Sequence, residues 1–244
     1  MADPAHDLRD AVRARLQAAA DPVKAPRMQA YMKSAMPFYG VPAPGQKALF
    51  KIVFADHQLP DRATWLRAVE LLWRAATHRE ERYAAIALSG YRAYAPYQHV
   101  DLVSGLYAEL VSTGAWWDYV DEIAIRRIGP LLRAEPAAVT PIMRVWAADS
   151  HLWKRRTAII CQIGNKEATD RDLLTFAIDG NTDGQDFFIR KAIGWALREL
   201  AKRDPAWVRS FVADRRAALS GLSQREAFKN IGPQPTSGPV NEVL

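Results

Sequence analysis

The sequence predicts an all-α protein, and three observations support this fold class. Strong helix formers are abundant, and apolar residues recur at spacings of three and four, as in Trp65 to Arg74, where they form a single stripe. No run of alternating apolar and polar residues lies between hairpin turns, so strands are not expected. A short segment also recurs along the chain at a nearly constant interval, which indicates repeated helical units.

Helix starts are indicated by acidic or proline residues placed just before the apolar stretches. Asp at the N-cap position and Pro in the first turn are typical of the beginning of a helix, and Asp204-Pro205 combines both signals. The predicted breaks are Pro60-Asp61, Ala95-Pro96, Glu135-Pro136, Asp170 and Asp204-Pro205. Their spacing predicts helices arranged in pairs.

The internal repeat predicts how these pairs are assembled. Five similar segments match at Arg82, Val120, Arg156, Lys191 and Arg225, which are 38, 36, 35 and 34 residues apart. Each segment is expected to open the second helix of a pair. Since one pair cannot bury its apolar face alone, such units stack into a curved solenoid. The period is that of short HEAT-type repeats; a tetratricopeptide array has a similar period, but its characteristic residues are not in register here.

The repeat also predicts a basic concave face. Four of the five segments place cations near the start of the second helix: Arg82, Arg155 with Arg156, Arg190 with Lys191, and Arg225. The second segment carries aromatic residues and carboxylates instead. Cations are disfavoured at helix N-termini, so their repetition indicates a binding role, although cations that serve only solubility remain an alternative.

Composition is compatible with a nucleic-acid-binding protein. The chain of 244 residues has 49% hydrophobic residues, a formal charge of +6, and 24 Arg against 9 Lys. Arginine suits phosphate because its planar guanidinium binds two oxygens at once, although a basic solvated surface gives the same composition. One cysteine, Cys161, excludes an internal disulfide, and no signal peptide or membrane span is predicted, so we expect a soluble cytoplasmic protein.

We expect a single domain over residues 1–231, followed by a flexible tail over residues 232–244 that is rich in Pro and Gly. The five histidines show no metal-ligand spacing, and neither a phosphate-binding glycine loop nor a Ser-His-Asp arrangement is present.

The candidate site is centred on the segment WWDYVD, residues 116–121. Trp117 and Asp121 are four residues apart and share one helix face, whereas Trp116 is better assigned to packing. An isolated buried carboxylate is costly, so Asp121 either faces a groove or pairs with a cation such as Arg156. Trp195 similarly shares a face with Lys191, and Gly194 between them is best explained by close helix packing.

Four motifs carry a more specific resemblance. WWDYVD, LWKRRTA, DFFIRKAIGWALRELAK and the earlier AYMKSAMPFYGVPAPGQK occur in order on the predicted repeats. Together they resemble the AlkD-type DNA glycosylases, the HEAT-like-repeat alkylpurine DNA glycosylase family, from about Tyr31 to about Lys229. The resemblance implies excision of cationic purines such as 3-methyladenine and 7-methylguanine from duplex DNA by a monomeric protein. It implies no metal or other cofactor, and no pocket that buries the flipped base.

The resemblance also implies roles for individual residues. Asp121 matches the catalytic carboxylate, and Trp117 and Trp195 match the aromatics that pack around the lesion deoxyribose. Tyr31 matches an aromatic beside the site, and Arg156 matches a cation that contacts the DNA backbone. The neighbouring cations of the repeat complete the expected DNA-binding set: Arg155, Arg190 and Lys191.

The chain departs from this family at two places. Gly45-Gln46-Lys47 stands where a pair of arginines is expected, which predicts weaker DNA affinity there. Tyr119 stands where a small residue also occurs in the family, which would narrow the site or alter lesion choice. No lysine nucleophile is evident, so a monofunctional glycosylase is expected. The alternative is a non-catalytic helical scaffold that binds DNA or a protein.

Overall fold

The computed structural model describes residues 3–231, and this part of the chain is helical without strands. The predicted tail over residues 232–244 lies outside the described residues. Contacts cluster into two compact units, Met1–Leu110 and Val111–Leu244, so the expectation of a single domain stays a prediction. None of the described helices is long and apolar enough to cross a membrane.

The first unit contains five α-helices and two shorter helical segments. α1 packs against α3, α4 and α5, and α4 packs against α5. Their apolar faces meet around Trp65, Trp73 and Phe54, which are almost completely buried. The helices are α1 (Pro4–Ala18), α2 (Lys24–Met32), α3 (Ala43–Asp56), α4 (Arg62–Arg74) and α5 (Arg79–Ser89), followed by a 3-10 segment (Arg92–Tyr97) and a π-helical segment (Val103–Tyr107).

The second unit contains the remaining helices. A short helix, α6 (Ala108–Gly114), crosses the boundary between the units. α7 (Trp117–Ile123) continues through a π-helical segment (Ala124–Ile128) into α8 (Gly129–Ala134). The others are α9 (Pro136–Ala147), α10 (Leu152–Ile160), a 3-10 turn (Lys166–Ala168), α11 (Arg171–Asp179), α12 (Phe187–Ala201), α13 (Pro205–Asp214) and α14 (Gly221–Ala227).

Most of the predicted helix starts are confirmed. Asp61, Asp170 and Asp204 are N-cap residues whose carboxylates accept hydrogen bonds from backbone N–H groups of the first turn. Pro136 and Pro205 occupy the first helical positions of α9 and α13. Ala95-Pro96 differs, because it lies inside the 3-10 segment rather than directly before a helix.

The repeated segments coincide with the starts of α5, α7, α10, α12 and α14, so each opens a helix as predicted. Within the second unit, α7 packs against α10, α10 against α12, and α12 against α14. Gly194 explains the close approach of the last pair, because a Cβ there would lie 2.5 Å from Cβ of Glu226 and 2.9 Å from the carbonyl oxygen of Ser223. The predicted packing role of Gly194 is therefore confirmed. The curved solenoid and its basic concave face stay predictions.

Candidate active site around Asp121

Helix α7 orients the candidate carboxylate away from the core. The chain enters the helix from Ala115, which has a left-handed φ of 42°, and from an extended Trp116. Tyr119, Val120 and Ile123 are fully buried, whereas Trp117 and Asp121 are only partly buried. Since residues four apart share a helix face, Trp117 and Asp121 lie together on the side that reaches solvent.

Tyr119 is not part of this exposed side. Its side chain is completely shielded from solvent among the core residues of the second unit. Burial therefore contradicts a direct narrowing of the site by the Tyr119 side chain, and an effect of Tyr119 on lesion choice stays a prediction. The physical reason is helix phase: Tyr119 is two residues from both Trp117 and Asp121, about half a turn away on the helix.

Asp121 forms a two-point ion pair with Arg156 of α10. The arginine donates from Nε to Oδ1 and from Nη2 to Oδ2, both at 2.8 Å. Its third nitrogen, Nη1, donates to the carbonyl oxygen of Phe188 at 2.6 Å. One guanidinium thus connects α7, α10 and the first turn of α12. Of the two alternatives left open for Asp121, the pairing with Arg156 is the one observed.

The exposed fractions of the two side chains differ. The Arg156 side chain is 5% exposed, while that of Asp121 is 16% exposed, so part of the Asp121 side chain remains open to solvent. Burial raises the pKa of Asp121, and the nearby charge of Asp118 adds to this rise. Arg156 opposes both effects by hydrogen bonding and by its charge. The result is a carboxylate that is partly desolvated and held by one cation.

Three aromatic rings pack beside the ion pair. Trp116 lies with its ring centre 6.1 Å from that of Trp153 and 5.4 Å from that of Phe188, and Trp153 and Phe188 are 4.9 Å apart. Phe187 contacts Phe188 edge-on and is 53% exposed. The assignment of Trp116 to packing is confirmed. The sequence motifs contained Trp153 and Phe188, but nothing in their spacing showed that they meet Trp116.

Trp195 lies on α12 and is partly exposed, like Trp117 on α7. Lys191, one turn before Trp195, donates from Nζ to Oε1 of Glu226 at 2.6 Å. Glu226 also accepts from Nη1 of Arg198 at 2.6 Å, so it joins two cations of α12 to α14. Lys191 is thus already paired within the protein, and its expected DNA contact stays a prediction.

The other predicted DNA-binding residues occupy varied environments. Arg155 donates from Nη1 to the carbonyl oxygens of Asp149 and Ser150, which braces the turn before α10. Arg190 is partly buried, and its Nε is shielded from solvent without a hydrogen-bond partner in the described part of the chain. Arg156 uses three of its five N–H groups on Asp121 and Phe188, and its expected contact with the DNA backbone stays a prediction.

Two residues that the sequence analysis singled out, Tyr31 and Gln46, lie in the first unit. Tyr31 is on α2 and is 77% exposed. Gln46, at the position where an arginine was expected, is buried and donates from Nε2 to the carbonyl oxygen of Val41 at 2.7 Å. Gln46 therefore supports the turn before α3, whereas the neighbouring Lys47 is exposed. Within residues 3–231, no three His, Cys, Asp or Glu side chains come together to hold a metal ion.

Comparison with known proteins places the chain in a family. The family model described as DNA alkylation repair enzyme matches residues 12–231. A solved structure described as a predicted DNA alkylation repair enzyme from Enterococcus faecalis is 33% identical to the chain, with a TM-score of 0.77. The match covers 87% of this chain and 96% of that one. No curated protein matches the sequence significantly. The chain belongs to the DNA alkylation repair enzyme family.

Proposed function

We propose that this protein is a DNA glycosylase that hydrolyses the N-glycosidic bond of cationic alkylated purines, such as 3-methyladenine and 7-methylguanine, in duplex DNA. The observation that carries the proposal is the partly exposed Asp121 carboxylate, held at two points by Arg156 and placed one helical turn after Trp117. Family membership supports DNA as the substrate.

The chemistry suits one fixed carboxylate. Alkylation leaves a positive charge on the purine, so the base departs as a neutral molecule with both electrons of the C1′–N bond. The deoxyribose then acquires oxocarbenium character, and the negative charge of Asp121 stabilises it. Water adds to C1′ and loses a proton, which Asp121 accepts or passes to solvent. The products are the free base and an abasic site in an intact strand.

Arg156 has a positioning role in this proposal. Its two bonds hold both carboxylate oxygens, and its third bond fixes the guanidinium to the main chain of Phe188. Since the cation favours the ionised form of Asp121, it keeps negative charge at a partly desolvated position. A preoriented charge of this kind stabilises a cationic transition state without the cost of reorganising water.

The two partly exposed tryptophans add to this electrostatic environment. Trp117 and Trp195 offer aromatic faces, and each cation–π contact with the developing sugar charge contributes about 0.5–2 kcal/mol. Arg155, Arg190 and Lys191 are assigned to the DNA backbone near the lesion, where phosphate contacts fix the position of the strand. Tyr31, in the first unit, is also proposed to contact DNA. The Arg156 side chain is almost fully buried and holds both oxygens of Asp121, so we assign it first to the carboxylate.

The enzyme is proposed to be monofunctional. A lyase reaction requires an amine that attacks C1′, and the lysines closest in sequence to the site are engaged in ion pairs. Lys154 bonds to Asp149 at 2.9 Å, and Lys191 bonds to Glu226 at 2.6 Å. The expected product is therefore an abasic site without strand cleavage.

Base release from methylated duplex DNA tests the proposal. Wild-type protein is expected to liberate 7-methylguanine or 3-methyladenine, and Asp121→Asn is expected to lower the single-turnover rate by about 100-fold or more. Asp118→Asn, on the same helix, is the matched control and should retain activity within a few-fold. If the wild type releases neither base while still binding DNA, the catalytic proposal fails and the scaffold alternative gains support.

A further inference from the structure

Of the three described helices that meet at the candidate site, one begins with a side-chain cap. Helices α7 and α10 have no side-chain hydrogen bond at their N-cap positions. Helix α12 instead begins at Asp186, whose Oδ1 accepts hydrogen bonds from the backbone N–H groups of Phe188 at 2.7 Å and Ile189 at 3.2 Å. A cap of this kind fixes the first turn of the helix.

The bonds from Asp186 and Arg156 meet on one peptide group. The carbonyl of Phe188 and the N–H of Ile189 belong to the same planar unit. Asp186 accepts from the N–H side of this unit, and Nη1 of Arg156 donates to its carbonyl oxygen at 2.6 Å. A negative charge on the N–H side makes the carbonyl oxygen a stronger acceptor for the cation. Asp186 is thus connected to the guanidinium through one rigid group.

The side chain of Phe188 is held separately from its peptide group. Its ring centre lies 4.9 Å from that of Trp153 and 5.4 Å from that of Trp116. This packing sets where Phe188 lies, but a rotation of the peptide group could move the carbonyl oxygen while the ring stays in place. The bonds to Asp186 oppose that rotation, so they set the direction of the carbonyl.

We infer that Asp186 is a positioning residue for the candidate site, because it orients the carbonyl of Phe188 that holds Arg156 against Asp121. The inference rests on the proposed function for the role of Asp121. Asp186 acts through Phe188 and Arg156 rather than on the substrate. Of the three hydrogen bonds that Arg156 donates, two reach Asp121, and the third reaches the carbonyl that Asp186 orients.

Loss of the cap should loosen the ion pair. The charges that act most on Asp121 are Arg156 on α10 and Asp118 on α7, whereas α12 meets the pair through the main chain of Phe188. If the carbonyl turns away, Arg156 loses a fixed partner and holds Asp121 less closely. Since Arg156 lowers the pKa of Asp121, Asp186→Ala should raise that pKa, as a weaker form of Arg156→Gln.

The pKa of Asp121 in DNA-free protein, followed by ¹³C NMR of its carboxyl group, tests the inference without relying on activity. The signal is assigned by its absence in Asp121→Asn. Asp186→Ala should raise the pKa, and Asp186→Asn should restore the wild-type value, because its side-chain oxygen can accept the same two bonds. Asp186→Gly removes the side chain at little cost to the helix start, so it keeps the test open if the alanine variant does not fold.

Asp170→Ala is the matched control within the same unit. Oδ1 of Asp170 caps α11 by the same pattern, since it accepts from the backbone N–H groups of Asp172 at 3.0 Å and Leu173 at 2.9 Å. Both alanine variants should lower the unfolding temperature by similar amounts, but Asp186→Ala alone should raise the pKa of Asp121. Equal changes of this pKa in both variants would overturn the inference, as would an unchanged pKa in Asp186→Ala and Asp186→Gly.

Base release distinguishes this inference from the catalytic proposal. Asp186→Ala should lower the single-turnover rate by about 10-fold, less than the roughly 100-fold cost of a misplacement of about 1 Å. An active wild type with an unchanged pKa of Asp121 in the Asp186 variants rejects the positioning role and leaves the glycosylase proposal intact. An inactive wild type whose Asp186→Ala variant has a raised pKa of Asp121 rejects the glycosylase proposal and leaves the hold of Asp186 on the ion pair in place.

Discussion

Two acidic side chains, one in each compact unit, pair with an arginine but differ in what else they bind. In the first unit, Glu81 is 1% exposed and both of its oxygens are saturated. Oε1 accepts from the hydroxyls of Tyr39 and Thr77 at 2.9 Å each, and Oε2 accepts from Nη2 of Arg13 at 2.7 Å. Burial alone would raise its pKa, but Arg13, Thr77 and Tyr39 together lower it.

Asp121 in the second unit is less completely satisfied. Arg156 is the hydrogen-bond partner that the described residues provide, and 16% of the Asp121 side chain is exposed. Burial outweighs the arginine, so the pKa of Asp121 is raised. The comparison shows that an arginine partner does not by itself mark a structural carboxylate. A saturated, fully buried carboxylate stabilises the fold, whereas a partly exposed one with a single partner retains the capacity to interact with a substrate.

The largest expected effect on stability comes from the saturated carboxylate. Glu81→Gln keeps the shape but leaves Arg13 without its counter-ion, so the free energy of unfolding should fall by about 3 kcal/mol. Because the pKa of Glu81 is lowered, its stabilisation is complete above the pKa of an unfolded glutamate and is lost as the pH falls through the lower folded-state value. Denaturant unfolding at neutral and acidic pH measures both effects.

Glu109→Gln is the control for this prediction. Glu109 pairs with Arg74, whose side chain is 55% exposed, so its replacement should cost no more than about 1 kcal/mol. If Glu81→Gln lowers the free energy of unfolding as little as Glu109→Gln does, the buried hydrogen bonds of Glu81 contribute little to stability. The contrast between a stabilising Glu81 and a functional Asp121 would then be contradicted.

A second prediction concerns the single cation beside Asp121. Arg156→Gln removes the group that lowers the pKa of Asp121, so burial should raise this pKa further. The acid limb of the rate profile for base release should then move to higher pH, and the rate at the plateau should fall. Arg155→Gln, whose guanidinium bonds to main-chain carbonyls instead, should leave the limb in place. If the acid limb of the rate profile of Arg156→Gln stays at the wild-type pH, the positioning role of Arg156 is contradicted.

The smallest predicted effects separate two adjacent tryptophans. Trp117→Leu should reduce the rate of base release by between about 2-fold and 30-fold, the range of a lost cation–π contact, with little change in stability. Trp116→Leu removes a ring that packs on Trp153 and Phe188, so it should mainly lower the unfolding temperature. The reverse pattern would show that the faces of α7 have been assigned wrongly.

Local patterns in the sequence predicted the helices well because capping and apolar spacing act over a few residues. Asp61, Asp170 and Asp204 cap helices as expected, and the recurring segments open α5, α7, α10, α12 and α14. The pairing of Asp121 with Arg156 was one of two alternatives, since these residues lie 35 positions apart and spacing along one helix cannot join them.

Other features depended on contacts that no local pattern encodes. The burial of Tyr119 follows from the rotation of α7 against its neighbours, and the bond from Arg156 to the main chain of Phe188 follows from the packing of α10 on α12. The Gln46 side chain bonds to the carbonyl oxygen of Val41, whereas the sequence suggested only that a cation is missing at position 46. The first two outcomes are set by tertiary packing, whereas the Gln46 bond spans five residues and belongs to the turn before α3.

The pH dependence of single-turnover release of 7-methylguanine, with wild type beside Asp121→Asn, tests the central claim most directly. The wild-type rate should fall on the acid side as Asp121 is protonated, at a pH above that for an ordinary aspartate because burial raises its pKa. Asp121→Asn should be slower by about 100-fold or more and should lack this acid limb. An Asn variant that keeps both the limb and a rate within tenfold of wild type would contradict Asp121 as the catalytic carboxylate.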